Sequence, residues 1–273
     1  MFAQLVPVNK DRHTATKIKP VQGFAYATGF HVASVTAHEF PRASSIYPIV
    51  FLKDADSGAY RPVALMGLEE GENLFVDAGG RWKASYVPAV IRRYPFALAR
   101  SDAPDSFAVC IDEGSDLVND VEGVPLFDGE GNPAVALENV VRYLTELQQM
   151  DVQTRGFCDF LVENELLVPL NMQLQQGVQV QNIQGAFAIS EERVGKLSDE
   201  VFLQMRSRGY LPATYAHLVS LAQVERLLML KDDARQAMVE SAAPTTNPVS
   251  TAVDNPAKPP ASRNAGKKAA RRK

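Results

Sequence analysis

The chain is poor in the residues that most often carry cross-links, metals or nucleophilic chemistry: among 273 residues there are two cysteines, four histidines and one tryptophan. Two cysteines exclude a disulfide-stapled scaffold, and the apolar surroundings of Cys110 and Cys158 suit inert buried thiols. His13, His31, His38 and His217 form neither a His-x-His pair nor a His-Glu-x-x-His run, so no metal is expected. There is no Gly-x-Ser-x-Gly elbow, no Walker lysine and no Gly-x-Gly-x-x-Gly fingerprint; the turns at Gly67–Gly71 and Gly129–Gly131 are acid-rich instead. Those absences remove the signatures of α/β-hydrolases and of nucleotide-binding folds, and no cofactor is expected. No apolar run approaches the ~18 residues of a membrane span. The stretch Met1–Lys10 lacks a basic segment followed by a long apolar core, so no signal peptide is read there and a cytoplasmic location is expected.

What is present is concentrated in Trp82–Phe96, which holds the only tryptophan together with Tyr86, Pro88, Arg92, Arg93, Tyr94, Pro95 and Phe96. Each proline fixes its own φ and pushes the preceding residue toward extended geometry, so Val87 and Tyr94 should lie outside any helix. A short rigid element is thereby bracketed between Ala89 and Arg93. Trp82, Tyr94, Pro95 and Phe96 are read as packing anchors. Arg92 and Arg93 have two readings. A guanidinium fork can grip an anionic ligand and stack on an aromatic face, in a pocket completed by Tyr86, Glu39 and His38. It can equally be tied internally to a carboxylate such as Glu39 or Asp112. Neighbouring residues point apart, so at most one of the two arginines serves either purpose.

The first half reads as strands punctuated by Gly, Pro and Asp. Phe30–Phe40 alternates as one strand, with His31 and His38 on opposite faces. Tyr47–Leu52 and Arg61–Gly67 form a hairpin across Asp54–Gly58, Leu74–Asp77 turns back through Gly79 and Gly80, and Phe107–Asp112 is a buried strand. The second half changes period. Asn132 and Pro133 offer an N-cap and a first-turn proline to a helix with Leu137, Val140, Val141, Leu144 and Leu147 on one stripe, continuing through Gly156 to about Glu165. Val168–Leu174 and Gln184–Ile189 read as strands around a glutamine-rich reversal at Gln175–Gly177. Ser198 caps a helix that stops at Gly209, and a last helix starts at Pro212 and runs to about Leu230. The expected fold class is α+β: a mainly antiparallel sheet from the N-terminal half, with helices from the C-terminal half packed on it, in one domain over residues 1–235. Residues 240–273 lose their apolar content and read as a disordered tail. Its last nineteen residues hold seven basic side chains and no acid, so the rest of the chain carries a formal charge of −11 against −4 overall. Weak polyanion contact is one role for such a tail, and plain solvation is the other.

The order Glu39-Phe40, Tyr47–Phe51, Gly67-Leu68, Gly71–Val76, Gly80–Trp82, Tyr86–Pro88 and Arg92–Phe96, with Pro125–Phe127 further on, resembles the bacterial SapC family. The resemblance covers most of residues 1–231 and brings no catalytic residue set. It implies a bacterial protein of a family named for a surface-layer-associated member, hence a possible envelope association. Two function classes follow: a non-catalytic binding or assembly protein with a protein or peptide partner, or an enzyme or ligand-binding protein acting on a peptide or amino-acid derivative through Arg92 or Arg93 and Glu39. An apolar cleft in which those groups converge would favour the second, and a filled core beneath Trp82 the first.

Overall fold

The computed structural model describes residues 2–100, 107–170, 172–176, 179–183 and 185–242, with the backbone alone at 172–183 and 238–242. The basic tail from 243 onward and the reversal at Gly177 lie outside the described residues. Among the described residues every pairing between strands is antiparallel, as sequence alternation and turn residues predict. The largest sheet has five strands in the order Leu167–Pro169, Ala186–Ile189, Ile49–Lys53, Tyr60–Leu65, Val32–Ser34. Its centre is the expected hairpin, Phe51 opposite Pro62, closed by Asp54, whose carboxylate accepts from the amide and hydroxyl of Ser57, and by Gly58 at φ 69°. A second sheet orders Leu5–Pro7, Phe107–Asp112 and Phe96–Arg100. Among the described residues the helices longer than a single turn come from the C-terminal half, so the fold is α+β.

Several sequence expectations are corrected. Phe30–Phe40 is not one strand: after Val32–Ser34 the chain enters a 3-10 turn at Ala37–Glu39 and a helical turn at Phe40–Ala43. The competing signal is a capping box, in which Thr36 and Glu39 satisfy each other's backbone amides, with Pro41 in the next turn. His31 and His38 therefore do not sit on two faces of one strand. Leu74–Asp77 contributes only the bridge Val76 to Trp82. The strand Phe96–Arg100 was not evident, because its approach through Tyr94-Pro95 reads as a turn. Asn132 does not cap the long helix, which spans Val135–Glu163 with Ala134 at its N-cap; Asn132 is instead folded against the Asp128 carboxylate in a tight loop. The helix does continue through Gly156. The last helix divides into Leu211–Ser220 and Gln223–Ala242. Val168–Leu174 divides as well, into Leu167–Pro169 in the main sheet and Met172–Gln176, which pairs with Gln179–Ile183 in a separate ribbon.

Among the described residues two hydrophobic clusters form. The larger lies on the five-stranded sheet and includes Phe40, Tyr47, Phe51, Phe75, Phe157 and Phe160. The smaller, around Phe96, Ile111, Leu126 and Phe127, backs the three-stranded sheet. The long helix enters both, giving Leu137 and Leu144 to the smaller and Phe157, Phe160 and Leu161 to the larger. The Trp82–Phe96 segment lies at their junction.

Candidate functional site

The segment bracketed by Pro88 and Pro95 folds as expected, a helical turn at Ala89–Arg92 with Val87 and Tyr94 outside it. Side chains from distant elements hold its backbone in place. The Tyr86 carbonyl accepts from the Tyr47 hydroxyl and from Trp82 Nε1 at 3.1 Å, Val87 O from Arg92 Nε at 3.0 Å, Ala89 O from the Tyr143 hydroxyl at 3.0 Å and Ile91 O from the Tyr26 hydroxyl at 3.1 Å. Trp82 also donates to the Tyr47 hydroxyl at 2.9 Å and meets the Phe24 ring edge-on, so it locks the Gly-Gly turn onto this segment. Tyr94 stacks on Tyr26 with ring centroids 4.2 Å apart; Pro95, joined to it by a cis peptide bond, and Phe96 are buried.

Glu39, buried at 6% exposure, sits beneath this turn. Its Oε2 accepts from the Thr36 amide at 2.8 Å and the Thr36 hydroxyl at 3.1 Å. Its Oε1 accepts from the Tyr86 hydroxyl and the Ala89 amide, each at 2.8 Å. The internal tie foreseen between an arginine and Glu39 or Asp112 is not made. Four donors already occupy Glu39, and Asp112 accepts from the amides of Ala3, Gln4 and Gly114 and the Tyr94 hydroxyl. Burial and the adjacent Glu39 carboxylate hold the Tyr86 phenol far above its ordinary range, so it remains a donor.

Arg92, Tyr86, Glu39 and His38 line one cleft of about 180 Å³, joined by Arg42, Tyr143, Glu146 and Met150. The Arg92 and Arg42 guanidinium carbons lie 5.5 and 5.6 Å from the Tyr86 ring centroid, and Arg92 is 5.8 Å from that of Tyr143. Both arginines are solvent-exposed. Sequence reasoning missed Arg42 and the helix residues. The available signal was the spacing Tyr143, Glu146, Leu147, Met150, which places four side chains on one helix face. Arg93 points elsewhere, as neighbouring residues should. It lines a second cavity, of about 310 Å³, which shares Glu39 and Leu147 with the cleft. Among the described residues no cluster of three or more His, Cys, Asp or Glu side chains is arranged to hold a metal ion, and no helix is long and apolar enough to cross a membrane. Cys110 and Cys158 are buried and unpaired, and burial pushes the Cys158 thiol up to about 12.

The family model that matches the sequence is SapC, over residues 8–227. No curated protein and no solved structure matches.

Proposed function

We propose that this chain, which belongs to the SapC family, is a non-catalytic binding protein whose exposed Arg42–Tyr86–Arg92 face takes an acidic segment of a protein or peptide. The observation that carries this reading is the pairing of two exposed guanidinium groups over one tyrosine ring, beside a carboxylate whose oxygens already accept four hydrogen bonds. Holding both guanidinium groups within 5.6 Å of one ring centroid concentrates N–H donors in one place, an arrangement suited to carboxylates. Exposed Glu146 at the rim sets a limit on how much negative charge the cleft admits. A phenol held protonated and a saturated glutamate form a fixed relay that supports binding over acid–base chemistry. Carried over from the family's name, the partner would be an acidic stretch of a surface-layer or envelope protein.

Anisotropy of a fluorescent hexaglutamate peptide tests it on the full chain. The basic tail also attracts such a peptide, so the decisive comparison is between wild type and Arg42→Gln/Arg92→Gln. Affinity should fall about tenfold or more in the double variant, as two charge-assisted contacts are lost. Equal affinity of the two forms would remove the proposal.

A further inference from the structure

Arg93 raises a different question, because its side chain is half-buried and no carboxylate among the described residues answers its charge. Its Nε is buried without a hydrogen-bond partner. The contact it does make is with the Phe2 ring, 5.7 Å from the guanidinium carbon, and burial lowers its pKa. A ring face offsets only part of the desolvation of a cation, which is why buried charges are normally paired. The unfilled space beside it is the 310 Å³ cavity, which lies where the two hydrophobic clusters fail to meet.

The cavity wall has two characters. Val35, Pro62, Val90, Leu98, Leu144 and Leu147 make an apolar surface, and Arg93 and Arg61 bring two cations. Its two acids are engaged elsewhere: Glu39 by its four donors, and Asp151 by Arg155 at 3.3 Å. A volume near 300 Å³ is the lower end of small-molecule sites, which combine apolar walls with a few fixed polar groups.

We propose that this cavity binds a small organic monocarboxylate with a short apolar body, its carboxylate on Arg93 and its hydrocarbon against Leu98 and Leu144. A guanidinium fork matches a carboxylate bidentately. Arg93 is half-buried and Arg61 exposed, so one carboxylate finds a partly desolvated partner at Arg93, and a second negative charge would have to face either the apolar wall or the solvated Arg61. The apolar wall selects against a small hydrated anion such as chloride. This site differs from the Arg42–Tyr86–Arg92 face in its arginine, since Arg92 lines only the cleft and Arg93 only the cavity, although Glu39 and Leu147 border both.

The test is calorimetric titration of the full chain with octanoate, and with octylamine as a probe of the same body and opposite charge. Octanoate should saturate below ~10 mM and octylamine should not. Arg93→Gln should weaken octanoate at least about tenfold, and Arg92→Gln should leave it unchanged. Should Arg93→Gln not fold, Leu98→Phe, which narrows the cavity without touching the charge, should weaken octanoate in its place. No saturation by octanoate, equal binding of octylamine, or indifference to both Arg93→Gln and Leu98→Phe overturns the proposal. Loss with Arg92→Gln alone would assign the carboxylate to the other face. Failure of the hexaglutamate experiment leaves this one intact, because the two read different arginines.

Discussion

Asp112 shows how one residue can hold two parts of the chain together. Almost fully buried at 1% exposure, it gathers the amides of Ala3 and Gln4 at 3.1 and 2.7 Å and that of Gly114 at 3.2 Å, so one carboxylate fastens the residues before the N-terminal strand to the sheet in which that strand is already paired. Burial alone would raise its pKa, but the amide donors outweigh that and hold it below the usual carboxylate range. A carboxyl that titrates lower folded than unfolded contributes stability above the unfolded value, and that contribution is lost as pH falls through the folded one. Asp112→Asn should therefore lower stability by about 1.5–3 kcal/mol at neutral pH, and the difference from wild type should shrink on acidification below about pH 4. Urea midpoints at pH 7 and pH 3 measure both. Trp82 makes the second residue-scale prediction. Its indole donates to two oxygens and packs edge-on against Phe24 while remaining partly exposed, so Trp82→Phe keeps the ring but leaves the Tyr47 hydroxyl and Tyr86 carbonyl with one donor fewer. A loss of about 1 kcal/mol is expected, and an unchanged melting curve would show that the indole is not an anchor.

At the scale of elements, the long helix is the most consequential and carries an evident weak point. Gly156 is an interior helical glycine whose added methyl would meet only the Tyr210 hydroxyl, at 3.4 Å. Gly156→Ala should then stabilise the protein by about 0.5–1 kcal/mol, and a destabilised variant would show that Tyr210 cannot yield. This helix was legible because its apolar spacing persists for many turns and no proline interrupts it. The central hairpin was legible for a comparable reason, two β-rich runs around Asp54–Gly58. Phe30–Phe40 misled because alternation over a few residues fits a strand, while the decisive interaction, Thr36 with Glu39, is a side-chain contact that turns the chain. The candidate cleft was half legible. Tyr86, Arg92, Glu39 and His38 stood out as polar groups near a proline-aromatic segment, and the structure brings them together. Arg42 carries no local signal, and the Tyr143–Met150 spacing marks a helix face without saying what that face meets, since the two become neighbours only when the long helix passes the Ala89 turn.

For the whole molecule, the question is whether two hydrophobic clusters make one folding unit. One continuous helix serves both, Leu144 in the smaller and Phe157 in the larger, and the Tyr86–Ile91 backbone is hydrogen-bonded by Tyr26 and Tyr47 from one side and Tyr143 from the other. Separating the clusters would break that helix midway and strand those carbonyls, which makes partial unfolding costly. We propose a single cooperative domain over the folded part of the chain. Leu144→Ala and Phe157→Ala remove buried side chains from different clusters, and each should cost about 2–5 kcal/mol. In one cooperative unit both lower the same transition, seen alike by far-ultraviolet dichroism and by Trp82 fluorescence, although Trp82 packs with the larger cluster only. A Leu144→Ala variant whose dichroism transition moves while the tryptophan transition stays would divide the protein into two units, and the Arg93 cavity would then lie between bodies free to separate.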